Sequence, residues 1–140
     1  MRLVFDTNVL VAALVFPDGV AVRALDRVVE EHDKLVLVLS RPIIEETVGI
    51  LGRKFGRHDE ELARVALFLD DIAEIVAPTF TLDVLADEPD NRILECALAG
   101  GAAEIVTGDK AMLALGEHRE VRLSALADHM NDVIPDTAKR

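Results

Sequence analysis

Short, mainly apolar runs of strand length recur along this chain, and a stretch with helical periodicity follows almost every one. The runs are Leu3-Val4-Phe5, Leu35-Val36-Leu37-Val38-Leu39, Ile72 to Ala77, Glu104-Ile105-Val106-Thr107 and Val121-Arg122-Leu123. Strands covered on both faces read as continuous Val, Ile and Leu rather than as an apolar–polar alternation. Between the runs, Val9 to Leu14 starts a helix that Pro17-Asp18-Gly19 breaks, and Val22, Leu25, Val28 and Val29 set a second at helical spacing. Ser40 is a natural N-cap for a helix carrying Ile43, Ile44, Val48 and Leu51, fading near Gly52. Asp59, Glu60 and Glu61 open another through about Leu69, and Asn91 to Ala99 is closed by Gly100-Gly101. A short helix follows Asp109-Lys110, and Ser124 caps a last one. Strands alternating with helices in this way imply parallel crossovers, hence a three-layer α/β/α domain with a central, mainly parallel sheet.

With 140 residues, no linker and no repeat, one domain is expected over 1–134, with a loose C-terminal tail over 135–140. Trp and Tyr are absent and aromatics make up only 4%, so the core must be aliphatic. The longest apolar stretch, Val9 to Phe16, is too short to span a bilayer, and Arg2-Leu3-Val4-Phe5 runs straight into Asp6 without a leader. Cys96 is the single cysteine, so no internal disulfide can form, and a cytoplasmic setting is expected. Between Leu94 and Leu98 it reads as a small core residue, whereas His32, His58, His118 and His129 lack metal-ligand spacing and read as surface residues.

The net charge of −11, from 15 Lys and Arg against 26 Asp and Glu, argues against a protein that coats nucleic acid by charge alone. It leaves room for a nuclease in which divalent ions on clustered carboxylates supply the positive charge. The placement of the acids points that way. Asp6 ends the first strand run and Asp109 follows the fourth, so both project from the carboxyl edge of the sheet, where open α/β proteins bind ligands. Glu45 and Glu46 lie in the second turn of the helix after Ser40, and Asp90 lies near the start of the helix after Asp87-Glu88-Pro89. Helices that follow parallel strands begin at that same edge. Each acid also has an ordinary reading: Asp87 or Asp90 as a cap, Asp109 as a turn residue, the glutamates as a solvated pair. Together they would repel strongly unless a cation offsets them, and oxygen-only ligands select hard ions such as Mg2+ or Mn2+.

The segments Leu3-Val4-Phe5-Asp6-Thr7-Asn8-Val9-Leu10, Ser40 to Phe55, Asp90-Asn91-Arg92-Ile93-Leu94-Glu95-Cys96-Ala97 and Ala103-Glu104-Ile105-Val106-Thr107-Gly108-Asp109 come in an order and spacing that resembles the PIN-domain nucleases. Within them, the chain resembles the VapC-like toxins of toxin–antitoxin pairs, to about Leu126. By that resemblance the acidic quartet that binds metal and catalyses falls on Asp6, Glu46, Asp90 and Asp109. Glu46 is chosen because it stands five residues before Leu51; Glu45 is the alternative. Thr7, Asn8 and Thr107 fall where polar residues support the acids. The family more often has Asp-Pro-Asp before the third acid, where this chain has Asp87-Glu88-Pro89-Asp90. The resemblance implies a Mg2+- or Mn2+-dependent endoribonuclease, an RNA substrate, a cognate antitoxin protein and a homodimer.

The one dense basic segment, Gly52-Arg53-Lys54-Phe55-Gly56-Arg57-His58, offers Arg53, Lys54 and Arg57 to RNA phosphates, with Phe55 to stack on a base. The same cations would also suit a helix C-terminus. Arg41 and Lys110, close to the acids in sequence, are further phosphate-binding candidates. Two competing classes are a catalytically silent PIN fold serving as a binding module and a Mg2+-dependent phosphate-transfer domain. Asn8 argues against a dehalogenase-like phosphatase, which needs Asp at that position, and Pro78 ends the third strand without the Asp a receiver domain would phosphorylate there.

Overall fold

The computed structural model describes residues 1–133, so the expected tail over 135–140 lies outside the described residues. In chain order the elements are β1 (Arg2–Phe5), α1 (Thr7–Val15), α2 (Val20–Glu30), β2 (Val36–Ser40), α3 (Arg41–Phe55) and α4 (Asp59–Ile72). There follow β3 (Ala73–Val76), α5 (Glu88–Ala99), β4 (Glu104–Val106), α6 (Lys110–Leu115), β5 (Glu117–His118), β6 (Val121–Ser124) and α7 (Leu126–Val133). One sheet takes the order β3-β2-β1-β4-β6-β5. All its pairings are parallel except the hairpin between β5 and β6.

This strand order fixes where function can sit. From β1 the chain crosses to β2 and then β3 on one side; after β3 it returns past β1 to β4 and moves on to β6 on the other. The order therefore reverses between β1 and β4, and the crevice beyond their carboxyl ends is the switch point at which such sheets bind ligands. Leu3, Val4 and Phe5 of β1 and Ile105 and Val106 of β4 are fully buried, as parallel strands covered on both faces must be. The α1–α2 pair turns through 97° at Pro17-Asp18-Gly19, and among the described residues no single helix is long and apolar enough to cross a membrane. On the sheet's other side α5 lies so close to β2 that a Cβ at Gly100 would run into Val38.

Several local expectations are corrected. Helix α3 continues through Gly52 to Phe55 and ends where Gly56 adopts φ +61°, because the packing of Leu51 and the last-turn cations outweighs one mid-helix glycine. Helix α5 begins at Glu88, so Asp90 stands inside its first turn. Ser40 stands at the N-cap position of α3 but its side chain makes no cap bond, and Ser124 ends β6 with its side chain on Glu104. His129 is not a surface residue. It is fully buried, its Nδ1 2.9 Å from Glu104 and its ring edge-on to Phe5. Glu104, also buried, accepts a bond from Arg122 at 3.0 Å.

Burial alone would raise the Glu104 carboxyl, but hydrogen bonds from His129, Ser124 and Arg122 outweigh it and hold the group below its ordinary value. A carboxylate with a depressed folded-state pKa stabilises above its unfolded pKa, and that stability is lost as the pH falls through the folded one. Replacing Glu104 by Gln removes the charged partner of the buried His129. Urea unfolding at pH 7 should show a loss of about 3 kcal/mol, and E104Q should lose less stability than the parent on acidification below pH 4.5.

Candidate metal-dependent nuclease site

The first acid is placed by the β1–β4 pairing. Asp6 follows β1, and its N–H extends the ladder to the Val106 carbonyl at 2.9 Å. Its own carbonyl accepts the first α1 bonds from Val9 and Leu10, so strand turns to helix at the carboxylate itself. Only 4% exposed, Asp6 has its Oδ2 bonded by the Thr107 hydroxyl at 2.7 Å. The same hydroxyl accepts the Asp109 N–H at 3.0 Å, and Asp109 Oδ1 then caps α6 at Met112 N, 2.9 Å away. One buried threonine thus ties Asp6, after β1, to Asp109, the N-cap that follows β4. Asp109, read from the sequence as a turn residue, caps α6, and its other carboxylate oxygen is not used by the cap.

Asp90 comes from α5. The helix start is held by its own polar residues, which tether the preceding loop. Asn91 Oδ1 accepts from Val84 N and Leu85 N, Asn91 Nδ2 donates to the Leu85 carbonyl, and Glu95 Oε2 accepts from Leu82 N at 2.8 Å. Neither Asn91 nor Glu95 was singled out from the sequence. The signal was there: two polar residues four apart on a helix whose neighbours Ile93, Leu94 and Cys96 are all buried. Glu46, half-buried on α3, faces the same region, whereas Glu45 is exposed.

The acids share one field. Burial is the main cause lifting Asp6, Glu46 and Asp90, and the neighbouring carboxylates add to it. Asp90 is pushed up to about 7 by burial and by Asp109, Asp6, Asp87 and Glu46. Asp87, considered earlier only as a cap, therefore belongs to the cluster. It sits three residues before Asp90, a separation that places both on one side of the helix start. Asp90 Oδ2 is buried with no hydrogen-bond partner, which is the state a hard cation would resolve. Among the described residues, no three of these side chains stand close enough to cage an ion as they are. The donor set nevertheless fits Mg2+ or Mn2+: oxygen only, buried, crowded, with one carboxylate oxygen unpaired.

Such a fold and cluster are what a match to known proteins would have to explain. The family model described as PIN domain matches residues 2–111, from β1 into α6. The chain belongs to the PIN domain family. An uncharacterized protein of Methanocaldococcus jannaschii is 29% identical over 125 residues, covering 86% of this chain and 78% of that one. The fold is also similar to a crystal structure of VapBC2 from Rickettsia felis bound to a DNA fragment from their promoter. That likeness has a TM-score of 0.64 at 13% identity, over 89% of this PIN domain chain and 98% of that one. At that identity it speaks for the fold alone.

The remaining sequence candidates scatter around the PIN domain acids. Thr7 is buried, and its backbone bonds to Asp6; Asn8 is exposed on the first turn of α1. Arg53 lies over Gly49, where its charge opposes the upward shift of Glu46. Arg57 pairs with Glu61 at 2.9 Å, Arg41 reaches Asp70 at 3.8 Å, and Lys54 and Lys110 are exposed. Phe55 rests edge-on against Phe16.

Two outcomes test this geometry. Thr107→Val keeps the shape but leaves Asp6 Oδ2 without its donor, and thermal unfolding should show a loss of about 1–3 kcal/mol. Because the folded protein favours the protonated Asp90, stability in chelator should fall as pH rises from about 4 towards 7, and Asp90→Asn should flatten that slope.

Proposed function

We propose that this PIN domain is a metal-dependent endoribonuclease and the toxin of a toxin–antitoxin pair. The observation that carries the reading is the convergence of buried carboxylates on the switch-point crevice, with one carboxylate oxygen of Asp90 unpaired. Asp6, Glu46, Asp90 and Asp109 would hold one or two Mg2+ or Mn2+ ions there. A bound ion supplies a nucleophilic water near neutral pH and offsets charge on the phosphate.

What the chain's own residues do follows from the geometry. Thr107 aims the Asp6 carboxylate and fixes the start of α6 relative to β4. Asn91 and Glu95 pin the loop before α5 and so hold Asp90 at the crevice. Arg53, beside Glu46, is the best-placed cation for an incoming phosphate, with Arg41, Lys54, Arg57 and Lys110 further out. Single-stranded RNA suits an open crevice at a sheet edge better than a stiff duplex does. A cognate antitoxin and assembly as a homodimer in the cytoplasm complete the reading; the resemblance to VapC-like toxins supports both partners.

Purified protein incubated with mixed RNA and Mg2+ or Mn2+ should cut it, chelator should stop the reaction, and Asp6→Asn should lower the rate by roughly 100-fold or more. Equal cutting by the parent and D6N would sink the assignment of the site. Absence of both cutting and metal binding by calorimetry would instead favour a catalytically silent PIN-fold binding module.

A further inference from the structure

One strand over from the acids, the carboxyl edge carries a cavity that the proposed chemistry does not use. Its volume is about 420 Å³, and it is walled by Pro42, Ile75, Val76, Ala77 and Pro78, with Ser40 and Arg41 at the α3 side and Arg92 and Glu95 at the α5 side. That size lies in the range of sites for small organic groups, and the mixture of apolar walls with a few fixed polar groups is typical of them.

Its position is set by register. Leu3 pairs with Leu37, so Asp6, three residues on, stands beside Ser40, and Ser40 pairs with Val76 in the next strand. Neighbouring strands lie about 4.8 Å apart, so the cavity begins one strand spacing from Asp6. Arg92 and Glu95 line the cavity together with β3 residues, whereas Asp90 does not line it and feels Asp109 and Asp6. The polar end of the cavity is built rather than incidental: Glu95 is 5% exposed and holds Arg92 through Nε at 2.8 Å and Nη2 at 2.7 Å. At the rim Arg41 is mostly solvent-exposed, and among the described residues its ion pair is a long 3.8 Å one to an exposed Asp70. Such a pair holds little energy, so the guanidinium can turn to another anion.

We propose that this cavity takes the base of the nucleotide adjoining the scissile phosphate in single-stranded RNA, with Arg41 on the connecting phosphate or stacked on the base. The inference rests on the nuclease reading. Apolar walls suit the faces of a base, a planar guanidinium suits either its π-face or a phosphate, and both lie on the path leaving the acids. The cavity would make cleavage depend on the identity of one flanking base. A base in a duplex cannot enter it.

The test uses labelled RNA hexamers, A6, U6 and C6, with a duplex of equal length, read by fluorescence anisotropy in Mg2+ in an Asp6→Asn background, with RNA integrity checked on a gel. One hexamer should bind about tenfold more tightly than another, and the duplex most weakly. Adding Ile75→Trp, which fills the cavity, should erase that difference, and Arg41→Ala, an exposed substitution with no folding consequence, should weaken every single strand. Unchanged affinities in both variants, equal binding of duplex and single strands, or no RNA binding at all would each overturn the subsite. Parallel cleavage assays separate the two readings. RNA cut by the parent with the same flanking-base pattern in I75W removes the subsite and keeps the nuclease, whereas cavity-dependent binding without any cutting overturns the nuclease reading, and with it the placing of the base beside a scissile phosphate.

Discussion

The hydroxyl of Thr107 bridging Asp6 and the Asp109 backbone is the contact on which the site depends. Parallel pairing of β1 with β4 brings two chain-distant strand ends side by side. The threonine then turns that proximity into a fixed relation between the carboxylate after one strand and the capping acid after the other. A buried carboxylate with a short hydrogen bond has few orientations available, and pre-aimed ligands are what metal-assisted chemistry needs. Helices α3 and α5 bring Glu46 and Asp90 to an edge that β1 and β4 have already defined.

Electrostatics runs against this gathering. Each added acid lifts its neighbours towards protonation, and the effect is largest at Asp90, which is both buried and surrounded. The fold tolerates it because the rest of the domain supplies compensating order: an aliphatic core around β1, β2 and β4, the Asn91 and Glu95 tethers, and the buried Glu104–His129 pair under the far end of β4. The contrast between the two buried acids on either side of β4 is instructive. Glu104 has hydrogen-bond partners in His129, Ser124 and Arg122 and is held below its ordinary value; Asp90 is surrounded by acids and has an unpaired oxygen. One arrangement satisfies its carboxylate within the fold, and the other leaves a buried carboxylate oxygen unsatisfied.

Much of this was legible from residue order. The apolar runs marked the sheet, Pro17-Asp18-Gly19 marked the α1–α2 break, and Asp6 and Asp109 followed from acids placed after strands. Other features left no local trace. The β5–β6 hairpin turns at Arg119 and Glu120, which take φ of 48° and 71° without the Gly or Asn that normally signals such a turn. His129 looked like a surface residue because its partner, Glu104, lies 25 positions away. Asp87 takes the N-cap position of α5, as its residue type suggests, but its part in the acid field comes from charges on other elements. Ser40 takes the N-cap position that its residue type suggests, and only packing shows that its side chain is buried there without a cap bond.

The sequence by itself determined the layer architecture and which residues are chemically equipped for a metal, since burial pattern and residue type are local properties of the chain. Tertiary structure alone decided which acids meet. The choice of β4 rather than β2 as the strand that delivers the second acid beside Asp6, the approach of Glu46 rather than Glu45, and the cavity over β2 and β3 all follow from crossovers that join distant segments. Local sequence cannot encode them, because the energy that selects them is the burial of one strand against another.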